Sequence, residues 1–203
     1  VDYIITLHDA WWICPRQFMI TSKGKYCNQY ILDENKCKKC IGDNFEYTKR
    51  QYELSKRLKK AKLLLAPSQF FADLHNVNEV SDKKVICNKN GINLPLKMVS
   101  KSISNKIRFG YVGGNTPIKG IHLILEAFKN IKDNDVELII VDNLINLGSH
   151  SFSECMVSDI TNCKIVPAYN QDSIDEFFSE IDVLLFPTQW KESFGLTVRE
   201  AIS

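Results

Sequence analysis

A chain of 203 residues has room for one large domain or two small ones, and 44% hydrophobic residues let it bury a core rather than stay disordered. Its net charge of +2 is nearly neutral and gives no global argument for nucleic-acid binding, which usually shows as a strongly basic domain. No apolar run reaches the length of a membrane span, the longest (136–141 and 183–186) being strand-sized, and no charged start followed by an apolar stretch marks a signal peptide.

The chain opens without Met on an apolar run, 3–7, that predicts a core strand, and it stops inside a helical pattern. These ends predict a piece of a longer protein lacking both termini. His8 follows the first strand, at the carboxyl edge where open α/β sheets place ligands. The plainer role for a lone histidine is a structural hydrogen bond.

Cys14, Cys27, Cys37 and Cys40 then make a Cys-x12-Cys-x9-Cys-x2-Cys array behind Trp11 and Trp12. Four thiolates, one pair at Cys-x-x-Cys spacing, suit a tetrahedral zinc site that would staple a long loop. Free thiols and a disulfide remain open readings. Seven cysteines are an odd number, and Cys87 sits in an apolar run, so the chain reads as cytoplasmic with reduced thiols or a metal site.

A helix is expected over 45–60, carrying Lys49, Arg50, Lys56, Arg57, Lys59 and Lys60, with Lys62 just beyond. Such a face is ordinarily solvated, and its sharper reading is contact with an anionic membrane surface at the cytoplasmic side. Strand candidates follow at 61–66 and 84–87 around a helix over 68–77. The polar stretch 94–105 reads as an interdomain connection. Beyond it come strands at 107–112, 136–141, 163–166 and 182–186, with helices over 120–131 and 172–181 between them. The apolar runs are continuous rather than alternating, as in parallel strands covered on both faces. The prediction is an α/β fold in two domains, 1–98 and 99–203. His75, His122 and His150 carry no context beyond structure.

Two segments carry chemistry. Gly113-Gly114-Asn115-Thr116-Pro117-Ile118-Lys119-Gly120 leads from a strand to a helix, a geometry that brings backbone N–H groups and Lys119 close to an anion. An ordinary structural turn is the alternative, since neither a dinucleotide fingerprint nor a P-loop is present. Glu192-Ser193-Phe194-Gly195-Leu196-Thr197-Val198-Arg199-Glu200 sets two carboxylates about a helix start. Carboxylates accept strong hydrogen bonds from sugar and ribose hydroxyls, although two solvated acids capping a surface helix would look the same.

The second segment resembles the Glu-x7-Glu signature of the family 4 retaining glycosyltransferases, in its Glu-x-Phe-Gly-x4-Glu form. The glycine loop ending in Lys119-Gly120, Thr6-Leu7-His8-Asp9, Ala66-Pro67-Ser68 and Asn90-Gly91-Ile92 are similar to the same family's motifs in the same order. The resemblance implies a GT-B fold, two Rossmann-like parallel-sheet domains facing a cleft, the first domain and the end of the second incomplete. It implies transfer of a sugar from a nucleoside diphosphate sugar to a saccharide or lipid-linked acceptor, with retention of configuration and no cofactor for the chemistry. By position, Glu192 would hold the donor sugar, with Phe194 and Gly195 offering N–H groups. Glu200 would bind ribose, Lys119 would neutralise the diphosphate beside Gly113 and Gly114, and His8 would face the sugar. The sequence departs from many relatives at Gly114, where they carry Arg and others carry Gly. The reading from another class is a zinc-dependent module binding nucleic acid or a protein partner, which leaves the Glu192/Glu200 pattern unexplained.

Overall fold

The apolar runs of the sequence become seven parallel strands in the computed structural model, which describes residues 2–42, 46–92 and 99–203. By contacts the chain forms two compact units, one of Val1–Gly91 with Trp190–Phe194 and one of Ile92–Gln189 with Gly195–Ser203.

In the first unit, β1 (Ile4–Thr6), β2 (Leu63–Ala66) and β3 (Val85–Cys87) form a parallel sheet in that order. Its helices are α1 (Glu34–Ile41), α2 (Tyr47–Lys60) and α3 (Gln69–Val77). Helix α2 turns Leu54 and Leu58, four residues apart and hence on one face, inward. Helix α3 starts at Ser68, whose hydroxyl accepts from the Phe71 N–H at 3.4 Å, and it buries Phe71, Ala72, Leu74 and His75. Phe71, Ala72 and Leu74 meet Leu64 and Val85 in one core with Leu7, Ile13 and Met19. The basic residues of α2 are divided. Arg50 lies over the Trp11 ring, 4.6 Å from its centroid, while Lys56, Arg57, Lys59 and Lys60 are exposed.

The second unit contains β4 (Ile107–Val112), α4 (Ile121–Lys129), β5 (Val136–Asp142), α5 (Glu154–Val157), β6 (Cys163–Pro167), α6 (Ile174–Glu180), β7 (Val183–Leu185) and α7 (Leu196–Ile202). Its sheet runs β6-β5-β4-β7, all parallel. Along β5, Leu138 and Ile140 pack with Ile121, Ile124 and Phe128, while Ile139 and Val141 pack with Phe177 and Ile181. Both faces of the strand are therefore buried, which is why its sequence is continuously apolar. Buried Arg108 on β4 donates from its N–H and Nε to Asp182 Oδ2, at 2.7 and 3.2 Å, at the entrance to β7. Lys101 adds a 2.8 Å ion pair to the same carboxylate, and Ser102 accepts from Arg108, tying the start of the unit to its sheet.

The expected strands and helices fall where the sequence places them, within a few residues at their ends. The start of the 45–60 helix at Phe45 and the 93–98 part of the connecting stretch lie outside the described residues. Helix α1 has no counterpart in the sequence reading. It buries only Cys37, so no apolar periodicity announces it. Its signals are the Asp33 carboxylate, which accepts from the N–H groups of Asn35 and Lys36 at 2.9 and 3.2 Å, and Gly42 at its end. Among the described residues no helix is long and apolar enough to cross a membrane.

Candidate functional site

The glycine segment leaves the carboxyl end of β4. Gly114 takes a left-handed conformation (φ +71°), and its carbonyl accepts from the Tyr111 hydroxyl at 2.9 Å. That hydroxyl crosses directly beneath Gly113, where a Cβ would lie 2.7 Å from it. The bare backbone at 113 is thus enforced by packing, and it leaves the turn open to close approach by a ligand. The chain continues through a 3₁₀ turn, Pro117–Lys119, and left-handed Gly120 into α4. The Ile118 carbonyl accepts from the Gln189 N–H at 2.8 Å, which fixes the turn that carries half-buried Lys119.

The carboxyl ends of β5 and β6 supply the neighbouring walls. Asp142, fully buried at the end of β5, accepts from the N–H groups of Leu144, Ser151 and Phe152 and from the Ser151 hydroxyl, at 3.0, 2.7, 3.2 and 2.7 Å. Burial works to raise its carboxyl, but these bonds outweigh it and hold the group below the ordinary Asp range. Asn143 follows it, and Ala168, Tyr169, Asn170 and Gln171 follow β6. Together with Gly113, Gly114 and Glu200 of α7 they line a pocket of about 370 Å³. Tyr169 stacks on Phe177, with ring centroids 5.0 Å apart, and its hydroxyl donates to Glu200 Oε2 at 3.0 Å. Burial first, and then the Glu200 carboxylate, push the Tyr169 phenol above its ordinary value, so it stays a proton donor to Glu200. The pocket can therefore offer amides, a phenol, bare backbone and a carboxylate at the edge of the sheet where parallel α/β folds bind ligands.

Of the residues expected from sequence, Gly113, Gly114 and Glu200 meet in this pocket, and Lys119 does not line it. Gly195 is the left-handed N-cap of α7 (φ +71°). Glu192 and Phe194 belong to the first unit, in the stretch 190–194. There Glu192 Oε1 accepts from Trp190 Nε1 at 2.9 Å, and the Trp190 ring sits edge-on to Phe18, with centroids 4.6 Å apart. His8 is exposed just past β1. His75 is fully buried, its Nδ1 2.6 Å from the Phe71 carbonyl, while His122 and His150 are exposed. Cys14, Cys27, Cys37 and Cys40 carry free thiols and line a separate pocket within the first unit. Among the described residues, these four cysteines included, no group of three or more His, Cys, Asp or Glu side chains is placed so that it could hold a metal ion. Asn143, Tyr169, Asn170 and Gln171 escaped the sequence reading. Their signal was position alone, just beyond the carboxyl ends of two predicted strands.

Solved structures share this architecture. HepE of Anabaena in complex with UDP-glucose superposes with a TM-score of 0.58 at 15% identity, over 99% of this chain and 50% of its own. Sucrose-phosphate synthase of Thermosynechococcus elongatus gives 0.62 at 16%, over 99% and 48%. WaaG, a glycosyltransferase involved in lipopolysaccharide biosynthesis, gives 0.56 at 16%, over 85% and 52%. The chain thus spans about half the length of these relatives. Comparison with curated proteins found no match. The class defined by the two parallel sheets and these likenesses is the GT-B type of α/β protein. Residues 96–203 match the family described as Glycosyl transferases group 1, and the chain belongs to that family.

Proposed function

We propose that this chain binds a nucleoside diphosphate sugar through its second unit, as the donor-side portion of a glycosyltransferase acting on a saccharide or lipid-linked acceptor. The observation that carries the reading is the pocket in which Gly113, Gly114 and Glu200, distant in sequence, come together at the carboxyl edge of the sheet. Glu200, already an acceptor for the Tyr169 hydroxyl, takes ribose hydroxyls as charge-assisted donors. Bare backbone at Gly113 and Gly114 admits the diphosphate, and the sequence pattern assigns Lys119, which is outside the lining of this pocket, to neutralise its charge as the sugar departs. The roles of Glu192, Phe194, Gly195 and His8 toward the sugar rest on the sequence pattern, as does retention of configuration, in which the acceptor hydroxyl attacks an oxocarbenium-like centre from the face the leaving group vacates. We place the enzyme in the cytoplasm. The exposed Lys56, Arg57, Lys59 and Lys60 of α2 suit an anionic membrane surface beside a lipid-linked acceptor. Because the chain spans about half of its solved relatives, it is expected to bind donor without turning over by itself.

Calorimetry tests the assignment. With UDP as the first probe and GDP and ADP beside it, Glu200→Ala and Lys119→Ala should each weaken binding by about 1–3 kcal/mol, the worth of a hydrogen bond to a charged group. Unchanged affinity in both folded variants would overturn it.

A further inference from the structure

A cavity of about 390 Å³ opens in the first unit, between stretches of chain that hydrogen bonds hold in place. Cys14 leaves the 3₁₀ turn Ala10–Trp12, its N–H donating to the Ala10 carbonyl at 2.7 Å. Cys27 follows a hairpin closed by an antiparallel Ile20–Tyr26 bridge, its N–H donating to the Met19 carbonyl at 2.8 Å. Asn78 anchors the next turn, accepting from the Leu32 N–H at 2.8 Å and donating to the Tyr30 carbonyl at 2.8 Å. Helix α1 closes the cavity with Lys36, Cys37, Cys40 and Ile41. The walls are thus fixed by the chain itself, and the volume is that of a small-molecule site.

The lining sorts by depth and by charge. Met19 and Cys37 are buried, whereas Arg16, Asn28 and Lys36 are exposed and so mark the mouth. Between them stand Cys14, Ile20, Cys27, Leu32, Cys40 and Ile41, all half-buried. A free cysteine packs as a small hydrophobe, and burial pushes the Cys14 and Cys37 thiols up, which keeps them protonated and neutral. The floor is therefore apolar, and no carboxylate stands among the described lining residues. The mouth is cationic. Arg16 donates one N–H of its guanidinium to the Cys40 carbonyl at 3.0 Å, which holds the group beside the end of α1. Lys36 lies 3.7 Å from Asp33 in an exposed pair of little strength. The stretch 14–41 that builds the walls carries six basic residues against two acidic ones, a net +4 where the whole chain carries +2. An apolar chain ending in an anion satisfies both parts of such a cavity. A free anion leaves the floor uncovered, and an uncharged chain gains nothing from the two cations.

We propose that this cavity binds a lipid phosphate, with its apolar chain against Met19, Leu32, Cys37 and Ile41 and its phosphate at Arg16 and Lys36. Arg16 presents its remaining N–H groups to the phosphate oxygens as charge-assisted donors, and Lys36 adds a point charge. Identifying that lipid with the acceptor of sugar transfer rests on the proposed glycosyltransferase activity, whereas the binding itself does not.

The test uses the pocket cysteines as reporters in the whole reduced chain, with decyl phosphate below its micellar concentration as the probe. Iodoacetamide labelling is followed cysteine by cysteine through peptide mass spectrometry, with exposed Cys155 as the reference. Decyl phosphate at about ten times its Kd should slow labelling of Cys14, Cys27, Cys37 and Cys40 by about tenfold, because only the empty fraction reacts. Decanol and inorganic phosphate at the same concentration should each protect far less. Arg16→Gln/Lys36→Gln changes two exposed positions and should lose about tenfold or more in decyl phosphate affinity. Its UDP affinity should stay unchanged, so that failure here is separable from failure of the donor site. Should that variant fail to fold, the comparison of decyl phosphate with decanol on the unaltered chain decides. Four results would each overturn the proposal: unchanged labelling rates, equal protection by decanol or inorganic phosphate, slowing that includes Cys155, or equal protection by phosphatidylglycerol vesicles.

Discussion

Replacing Asp142 by Ala should destabilise the second unit by about 2–5 kcal/mol, because one fully buried carboxylate satisfies three backbone N–H groups and a hydroxyl. Removing it leaves the N–H of buried Phe152 and its neighbours without an acceptor, and unlocks the loop that leads from β5 past Asn143. The same carboxylate sets an acid limit. Its folded value lies below the ordinary Asp value, as does that of Asp182, held down by the Arg108 guanidinium first and then by Lys101. At acid pH the unfolded chain therefore binds more protons than the native one. The stability from these groups is fully present above about pH 4, the unfolded Asp value, and is lost as pH falls through the folded ones. Urea melts from pH 7 down to pH 2 should show wild-type stability falling at the acid end, and a shallower fall in Asp142→Ala. Equal stabilities at pH 7 would contradict the role assigned to this side chain.

Gly120→Ala should be comparably damaging, at about 2–5 kcal/mol. The residue is left-handed (φ +77°), and a Cβ there would lie 2.0 Å from the Pro187 carbonyl oxygen. Both the conformation and the contact exclude a side chain, and the obstacle is backbone, which cannot rotate away. Yielding would push apart the Ile118–Gln189 hydrogen bond and displace the turn carrying Lys119. The variant should thus lose UDP affinity as well as stability. A calorimetric scan with an unchanged midpoint, together with unchanged affinity, would show the turn to be softer than its packing implies.

Gly120 also shows how the sequence and the fold relate. The pair Lys119-Gly120 is conspicuous as the end of a glycine loop, but its neighbour Pro187 is a strand away, and no local pattern exposes that contact. Strands were legible because burial on both faces writes a continuous apolar run, as in β5. Helix α1 was not, because it buries one cysteine and reads as a lysine-rich loop. Gly113, Gly114 and Glu200, which line one pocket, stood out in the sequence through the strand–glycine–helix order and the resemblance to the family's motifs. Tyr169 did not, since a tyrosine beyond a strand looks like any surface aromatic until the fold brings its hydroxyl to Glu200. Glu192 shows the same limit. It accepts from Trp190, as Glu200 accepts from Tyr169, and neither aromatic donor is announced by the spacing of the two carboxylates.

Donor binding in the second unit can be read residue by residue by mapping UDP onto the chain with amide NMR. UDP should shift the backbone signals of Gly113, Gly114, Asn143, Tyr169, Asn170 and Glu200 together, along one saturable curve, and Glu200→Ala should move that curve to higher UDP concentration. Saturating UDP, GDP and ADP that all leave these amides in place, or that shift a different set, would contradict it.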